Sequence, residues 1–572
     1  MNQLNADQFN VQEFGHLGLV AATIDKLDLV NRIDQLIPCG AGANTTMGQR
    51  VKAMILNGLG FVDHRLYMFP KFLSNKPIEK LFGSNIAAES FNDDSLGRCL
   101  DTISEYGSTK IFSTLAMSIG IEHNLLGRSA NADTTTLSLY GEYLRDDAEQ
   151  NTEEHDKSKA DDKPGKEAEE VQQYEGEVNP WPNYGFAKNK RQDLKQMVLN
   201  LATTGKAGFP IWFEAHSGNA SDKKILLPVG KKLNQLCRSL RDAPEFLVVG
   251  DSAMYDACIR EGGATLWLTR VPETHGLARD MIREPDSNFV WSELGNGYKA
   301  SYSEISYKNI KQRWAVVFSK HAYDREIKTL DKKIKADFEK TEKDLWHLGN
   351  EVFGCVDDAN RHLKRFRKKL KLHDVRCTVE AVTQHATRGR PKEGAVLKTT
   401  GYKITGQVEE NKVKTDELRQ SKGRFILATN QLDKSALPDA SILSEYKEQS
   451  KTESGFKFIK DNTFEVSSVF LKKPSRIEAL MMIMTLCLMV YAFVQYYIRL
   501  RLSEEKETLS NQLNKPTDKP SASWVFRILR TVSIVRVAVA NAIQEFVANL
   551  DELSIKIIKL FGPEATRIYG VV

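Results

Sequence analysis

An α/β fold with a mixed-sheet core, interrupted by a long inserted helical and β-rich domain and flanked by helical N- and C-terminal regions, is predicted by three features of the sequence. Between residues 129 and 271, three strand-like segments, a helix, a short buried strand, a second helix and a further strand follow in order. A long charged helical stretch and a set of β-like segments then separate that run from the next helical region. The chain, at 572 residues, exceeds one ordinary core and suits three or four domains.

Residues 1–125 read as a helical N-terminal domain for DNA-end binding or dimerisation, with simple packing as the plainer alternative. Segment 47–56 carries apolar residues at helical spacing, and Asn92-Asp93-Asp94 supplies a cap for 95–106. Residues 126–271 form the first part of the core. Within it, 134–140 is rich in Thr, Leu and Tyr, as a strand requires. Segment 142–180 is packed with Asp, Glu and Lys and lacks a core-forming run, so it reads as an acidic, mobile insertion. Strands follow at 194–203 and 209–216, Gly218-Asn219 marks a turn, and 222–240 reads as a helix. Phe246–Val249 is a short buried strand, Asp251 stands just past its end, and 265–271 is a further strand after a helix near 256–261. That order is the order of a ribonuclease-H-like core, although many α/β folds share pieces of it.

Residues 272–437 read as one inserted domain. Its charged helical stretch, 324–372, breaks near Gly349 and Gly354, and β-like segments follow at 378–383, 402–408 and 424–429. Residues 438–504 return to the core, and 505–572 form a C-terminal helical region that begins with a polar linker. The apolar run 479–494 is 16 residues long, below the roughly 20 that span a bilayer, and reads as a buried core helix rather than a membrane span.

Composition narrows the function classes. The net charge is +5, from 80 basic and 75 acidic residues, but the signs are segregated: 142–177 is mostly acidic and 361–371 strongly basic. Segregated basic patches suit a polyanion. The seven cysteines are scattered without a Cys-x-x-Cys pair, which argues against a zinc site or disulfide framework and fits a reducing cytoplasm. The N-terminus lacks the apolar core of a signal peptide, and no Gly-x-x-x-x-Gly-Lys phosphate loop occurs.

Metal-dependent phosphodiester chemistry needs carboxylates converging on cations. Asp133 lies in Asn-Ala-Asp-Thr-Thr-Thr at the start of the first strand, where a lone Asp is commonly a cap. Asp251 follows Phe-Leu-Val-Val-Gly at the rim of the sheet, where sites form in α/β folds; capping the next helix is the alternative. Tyr446, Gln449, Glu453 and Lys460, spaced 0, 3, 7 and 14, fall on one helical stripe about 60° wide. A carboxylate there has an aromatic, an amide and a cation beside it, although a solvated helix face would look the same. Glu478 is a rival third carboxylate whose expected partner is Arg476. Further basic candidates for DNA contact are Lys188, Lys190 and Arg191, the Arg388-Gly389-Arg390-Pro391 segment, and the cluster from Arg361 to Lys371. Trp267 and Trp314 are candidates for stacking an extruded base, with core packing the commoner role.

Together, NADTTTLSLYG, FLVVGDSAMYD and YKEQSKTESGFKFIK resemble the DDE transposases of bacterial insertion sequences, in the subgroup with the Tyr-(2)-Arg-(3)-Glu-(6)-Lys signature. Further similarity lies in YGFAKNKRQDLKQ, FPIWFEAHSGNASD, LWLTRVPE and FLKKPSRIEAL. The resemblance implies that Asp133, Asp251 and Glu453 bind two Mg²⁺ ions, with Mn²⁺ able to substitute; the DNA contacts expected from the residues themselves are Tyr446, Gln449 and Lys460 on the stripe, Lys188 and Arg191 near the second strand, and Arg388 and Arg390, whose segment resembles an AT-hook core. The resemblance also implies cut-and-paste transposition: hydrolysis at the terminal inverted repeats, a hairpin step, and attack of the freed 3′-hydroxyl on target DNA. A homodimer on double-stranded DNA, no membrane partner, and a cytoplasmic location at the bacterial nucleoid follow from it. One departure stands out: Gln449 occupies the signature's Arg position and brings no charge or guanidinium fork. Lys447 or Lys451 is the expected substitute cation. The departure bears on the hairpin step and leaves open a second reading, a non-catalytic DNA-binding protein derived from a transposase.

Overall fold

A computed structural model describes residues 9–40, 43–60, 66–141, 143, 180–186, 191–240, 243–261, 265–385, 397–460, 471–539 and 542–571. The chain divides into two compact units, one of Met1–Thr269 with Ser444–Val572 and the other of Arg270–Leu443.

The first unit begins with strand β1 (Phe9–Glu13) and helices α1 (Leu17–Lys26), α2 (Leu29–Leu36), α3 (Met47–Gly58), α4 (Phe69–Ser74), α5 (Ile78–Phe82), α6 (Asp93–Tyr106) and α7 (Ser108–Glu122). Local chemistry sets several of these starts. Thr46 and Gln49 form a capping box on α3, and Asn92 accepts from the Ser95 amide to open α6. The region is helical as expected, although a strand precedes the helices.

Strands β2 (Ser129–Leu139), β3 (Lys195–Thr204) and β4 (Phe209–Ser217) form an antiparallel meander. Helix α8 (Asp222–Ser239) leads to β5 (Leu247–Gly250), and α9 (Tyr255–Arg260) to β6 (Trp267–Arg270). Both β5 and β6 run parallel to β2, giving the order β4-β3-β2-β5-β6. These strands are buried along almost their whole length, as a sheet covered on both faces requires. Asp133 lies inside β2 rather than at its start. Of the insertion expected at 142–180, residues 142 and 144–179 lie outside the described residues.

The second unit holds helix α10 (Gly276–Arg283) and an antiparallel sheet of order β12-β9-β8-β7, made by β7 (Ser292–Gly295), β8 (Tyr298–Tyr307), β9 (Ile310–Ser319) and β12 (Arg424–Thr429). Strands β7 to β9 were not anticipated. The charged stretch is two helices, α11 (Lys320–Asn350) and α12 (Val356–Arg367), broken where the glycines foretold. Strands β10 (His373–His385) and β11 (Leu397–Glu410) form a long hairpin, followed by α13 (Lys412–Gln420). Leu345, Leu348, Leu363, Val375 and Ile404 form a small core under it.

The chain then re-enters the first unit. Helices α14 (Ile442–Lys447) and α15 (Gln449–Ile459) precede α16 (Pro474–Glu505). By length and composition α16 could cross a membrane, but its apolar stretch is mostly buried inside the protein, against α3, α6, α7 and β4. Two short strands, β13 (Leu509–Ser510) and β14 (Pro516–Thr517), and α17 (Ala522–Leu529) follow. The expected C-terminal helix around 533–548 is instead a hairpin, β15 (Ser533–Val539) and β16 (Ala542–Ala548), whose β15 pairs with β1. Alternating β-branched residues favour a strand, and β1 supplies the partner edge. Helices α18 (Glu552–Phe561) and α19 (Pro563–Tyr569) end the fold, with the Tyr569 hydroxyl donating to Gly15 O at 2.7 Å and accepting from the Leu19 amide at 3.1 Å.

Candidate active site

Asp133 and Asp251 belong to a neighbouring pair of strands. On the parallel pair β2 and β5, Asn131 stands opposite Val249. That is the last pair of the register: Asp133 stands two residues further along β2, and Asp251 two residues further on, just past the end of β5. Asp133 is half-buried, and its Oδ1 accepts from the Thr134 amide at 2.7 Å. Asp251 is half-buried too; its Oδ1 accepts from the Ala253 amide at 2.9 Å, opening the turn into α9. The capping role foreseen for Asp251 is therefore real and coexists with its place at the strand end.

Helix α15 lies against β2. Thr452 is fully buried and donates to the Asn131 carbonyl at 3.0 Å, while the Thr203 hydroxyl bonds it at 2.7 Å. Thr203 stands opposite Asn131 across the antiparallel pair, so its side chain shares a face with those of Asn131 and Asp133. The neighbour of Thr452 in sequence is Glu453, which is exposed. Lys451 fixes the start of the helix by donating to Gly205 O at 3.1 Å and pairing with Glu448. That ammonium is held by the fold rather than offered to a ligand.

The signature stripe runs differently from the single-helix expectation. Glu448 separates α14 from α15 and tightens the turn, so Tyr446 lies on one helix, Gln449 opens the next, and Lys460 is its C-cap. Gln449, 8% exposed, sits on the buried face with Thr452, Phe456 and Ile459, and Glu453 stands at the border of that face. Tyr446 and Lys460 are half-buried.

Other candidates divide clearly. Glu478 does not pair with Arg476, which forks onto Asp101 at 2.6 and 2.7 Å. Glu478 lines a cavity of about 360 Å³ with Glu214, Trp212, Lys110 and Lys232. Burial pushes its carboxyl up, Ser108 opposes this, and Glu214 adds to it. Arg191 is exposed and forks onto Asp193. Lys188, Lys190, Arg388 and Arg390 lie outside the described residues. Trp267 and Trp314 are fully buried, so neither faces a ligand. On α12, Leu363 packs inward while Lys364 and Arg365 are exposed, as are Lys368, Lys369 and Lys371 in the turn after it. Sequence reasoning missed Thr452 and Thr203, because a Thr inside an amphipathic helix carries no local mark of its bond to a distant strand.

Among the described residues no three His, Cys, Asp or Glu side chains are gathered closely enough to hold a metal ion. Carboxylates are the donor type a hard divalent cation takes.

A mixed sheet in which an antiparallel meander continues into parallel strands, with helix α15 bonded to β2 through Thr452, defines the class: an α/β protein. The sequence profile of the transposase DDE domain family matches residues 168–490, more than half of the chain, and the chain belongs to that family. The matched span includes Asp251 and Glu453 and begins after Asp133. A second profile, a domain of unknown function (DUF4277), matches residues 9–117. No curated protein matches. A solved structure titled as the piggyBac transposase synaptic complex with hairpin DNA aligns at 9% identity and a TM-score of 0.35, covering 90% of this chain and 78% of that one; nothing is built on a likeness at that score.

Proposed function

We propose that this chain is a bacterial insertion-sequence transposase that cuts element ends and joins them to target DNA, with Asp133, Asp251 and Glu453 as its catalytic carboxylates. Membership of the transposase DDE domain family supports the reaction class. The observation that carries the residue assignment is the pairing of two constraints: the β2–β5 register beside Asp133 and Asp251, and the Thr452 bond that lays the Glu453 helix over the same strand. The strand order β4-β3-β2-β5-β6, antiparallel then parallel, supports a ribonuclease-H-like core.

In this reading Asp133, Asp251 and Glu453 would hold two Mg²⁺ ions, whose chemistry when bound would be to polarise a phosphodiester and to lower the pKa of attacking water. The protein's own part is placement. The Thr134 and Ala253 amides orient the two aspartates, and the buried face of α15 fixes the direction of Glu453. Tyr446 and Lys460 flank the acid toward the DNA backbone. Gln449 contributes an amide where the subgroup has a guanidinium, so the hairpin step runs with a weaker phosphate contact there. The exposed cations of α12 suit phosphate contact. Two DNA ends per reaction favour a homodimer on DNA, and the substrate places the protein in the cytoplasm at the nucleoid.

Cleavage of the element's own terminal repeats with Mg²⁺ tests this. Glu453→Gln is expected to abolish cutting and spare DNA binding, while Glu478→Gln still cuts. The opposite pattern would transfer the third-carboxylate role to Glu478, and undiminished cutting by both would overturn the assignment.

A further inference from the structure

The N-terminal helices and the last helix of the first unit enclose a polar cavity of about 300 Å³, which has no part in the catalytic reading. Asp25 of α1, Lys52 of α3, Lys80 and Phe82 of α5, and Arg567 of α19 line it, with the exposed carboxylate of Glu79 also on its wall. Lys52 is only 4% exposed. Its ammonium takes Asp25 Oδ1 at 2.6 Å and lies 6.0 Å from the centre of the Phe82 ring. The other oxygen of the same carboxylate, Oδ2, takes Arg567 Nη2 at 3.0 Å. One carboxylate therefore answers two cations. Lys80 is a third, paired with Glu545 at 2.9 Å.

Asp25 is shared between Lys52 and Arg567, while Lys80 pairs with Glu545 and Glu79 adds a further carboxylate to the wall. Burial pulls the Lys52 ammonium below the usual lysine range, Asp25 restores part of this, and the Arg567 charge lowers it again. A buried ammonium is costly unless paired, and Lys52 shares its carboxylate partner with Arg567. An arriving anion would be bonded by Lys52, Lys80 and the outer edge of the Arg567 guanidinium, which supplies a planar fork suited to two oxygens of a tetrahedral group.

We propose that this cavity is a phosphate-binding site in which Lys52, Lys80 and Arg567 hold one phosphate group, either free or on a DNA backbone. The site stands whether or not Asp133, Asp251 and Glu453 cut DNA, because neither readout below is cleavage. Lys52→Met risks the fold, since it strands Asp25, so Arg567→Gln is the test variant; its side chain is 71% exposed and its loss leaves the Lys52–Asp25 pair in place. Lys559→Gln, on exposed α18 surface outside the cavity, removes the same charge and serves as control. The full-length protein is titrated with inorganic phosphate, against chloride at equal ionic strength, by calorimetry and thermal unfolding. It is titrated separately with a short DNA duplex. For a free-phosphate site, phosphate raises the wild-type Tm, and Arg567→Gln weakens phosphate affinity by ~10-fold or more while Lys559→Gln does not. For a backbone site, free phosphate leaves Tm unchanged, and Arg567→Gln weakens duplex binding by ~10-fold more than Lys559→Gln does. If the two variants behave alike in both titrations, the proposal fails.

Discussion

Thr452 carries more of the candidate site than its residue type suggests. Its hydroxyl gives its proton to the Asn131 carbonyl and so receives the one from Thr203, linking a helix to two strands through one oxygen. Valine keeps the shape and removes both bonds. Thr452→Val is expected to cost about 1 kcal/mol in urea unfolding. Cutting of terminal-repeat DNA should fall further than that cost explains, with DNA binding unchanged, because the neighbouring Glu453 loses its anchor. Full cutting activity would show that this bond does not position the acid. The same scale explains the neutral residue at 449. With only 8% of its surface exposed, an arginine there would need a buried partner of its own, and glutamine is the cheaper occupant.

Helix α15 reaches the sheet because Gly455 lets it. A Cβ built at Gly455 would stand 3.0 Å from Leu488 Cδ2 of α16 and 3.5 Å from Leu201 Cδ2 of β3. The helix is wedged between a core helix and the strand beside Asp133, and a side chain there forces it outward. Gly455→Val is expected to destabilise the fold by about 1–3 kcal/mol in chemical unfolding and to lower cutting well beyond its effect on DNA binding. Unaltered cutting with the stability loss would separate the helix's packing from the site. The break at Glu448 belongs to this level too. A periodicity argument treats 446–460 as one cylinder, whereas the tight turn re-aims Tyr446 relative to Glu453.

Over the whole chain, the two ends interlock. Strand β1 pairs with β15, α1 packs on α19, and Tyr569 ties Gly15 to Leu19. His16 sits in this junction, stacked on Phe526 with ring centroids 4.8 Å apart, and its Nε2 donates to the Leu59 carbonyl at 2.7 Å. Burial holds the imidazole down at about 4. The sign follows: the folded state needs the neutral ring, while the unfolded chain binds a proton below about 6.5, so stability is complete above that pH and is lost as pH falls toward 4. Between pH 7 and pH 4.5 the loss is expected to be roughly 2–3 kcal/mol, read from urea midpoints. His16→Gln, which retains a donor for Leu59 and does not titrate, should flatten that slope. An equal slope in the variant would place the acid sensitivity elsewhere.

The sequence by itself determined the elements that local chemistry specifies: the capped helices α3 and α6, the strand-rich run from β2 to β6, and the glycine break between α11 and α12. It also yielded the family, through short motifs around Asp251 and Glu453. Tertiary structure alone decided which residues meet. The alternating 533–548 segment became strands because β1, at the far end of the chain, offered an edge. Arg476 chose Asp101 over Glu478, and Thr452 found Asn131, through contacts between segments far apart in the chain. Periodicity and capping report on interactions within a few residues. A register between strands or a hydroxyl bonded across a core is a property of the packed chain.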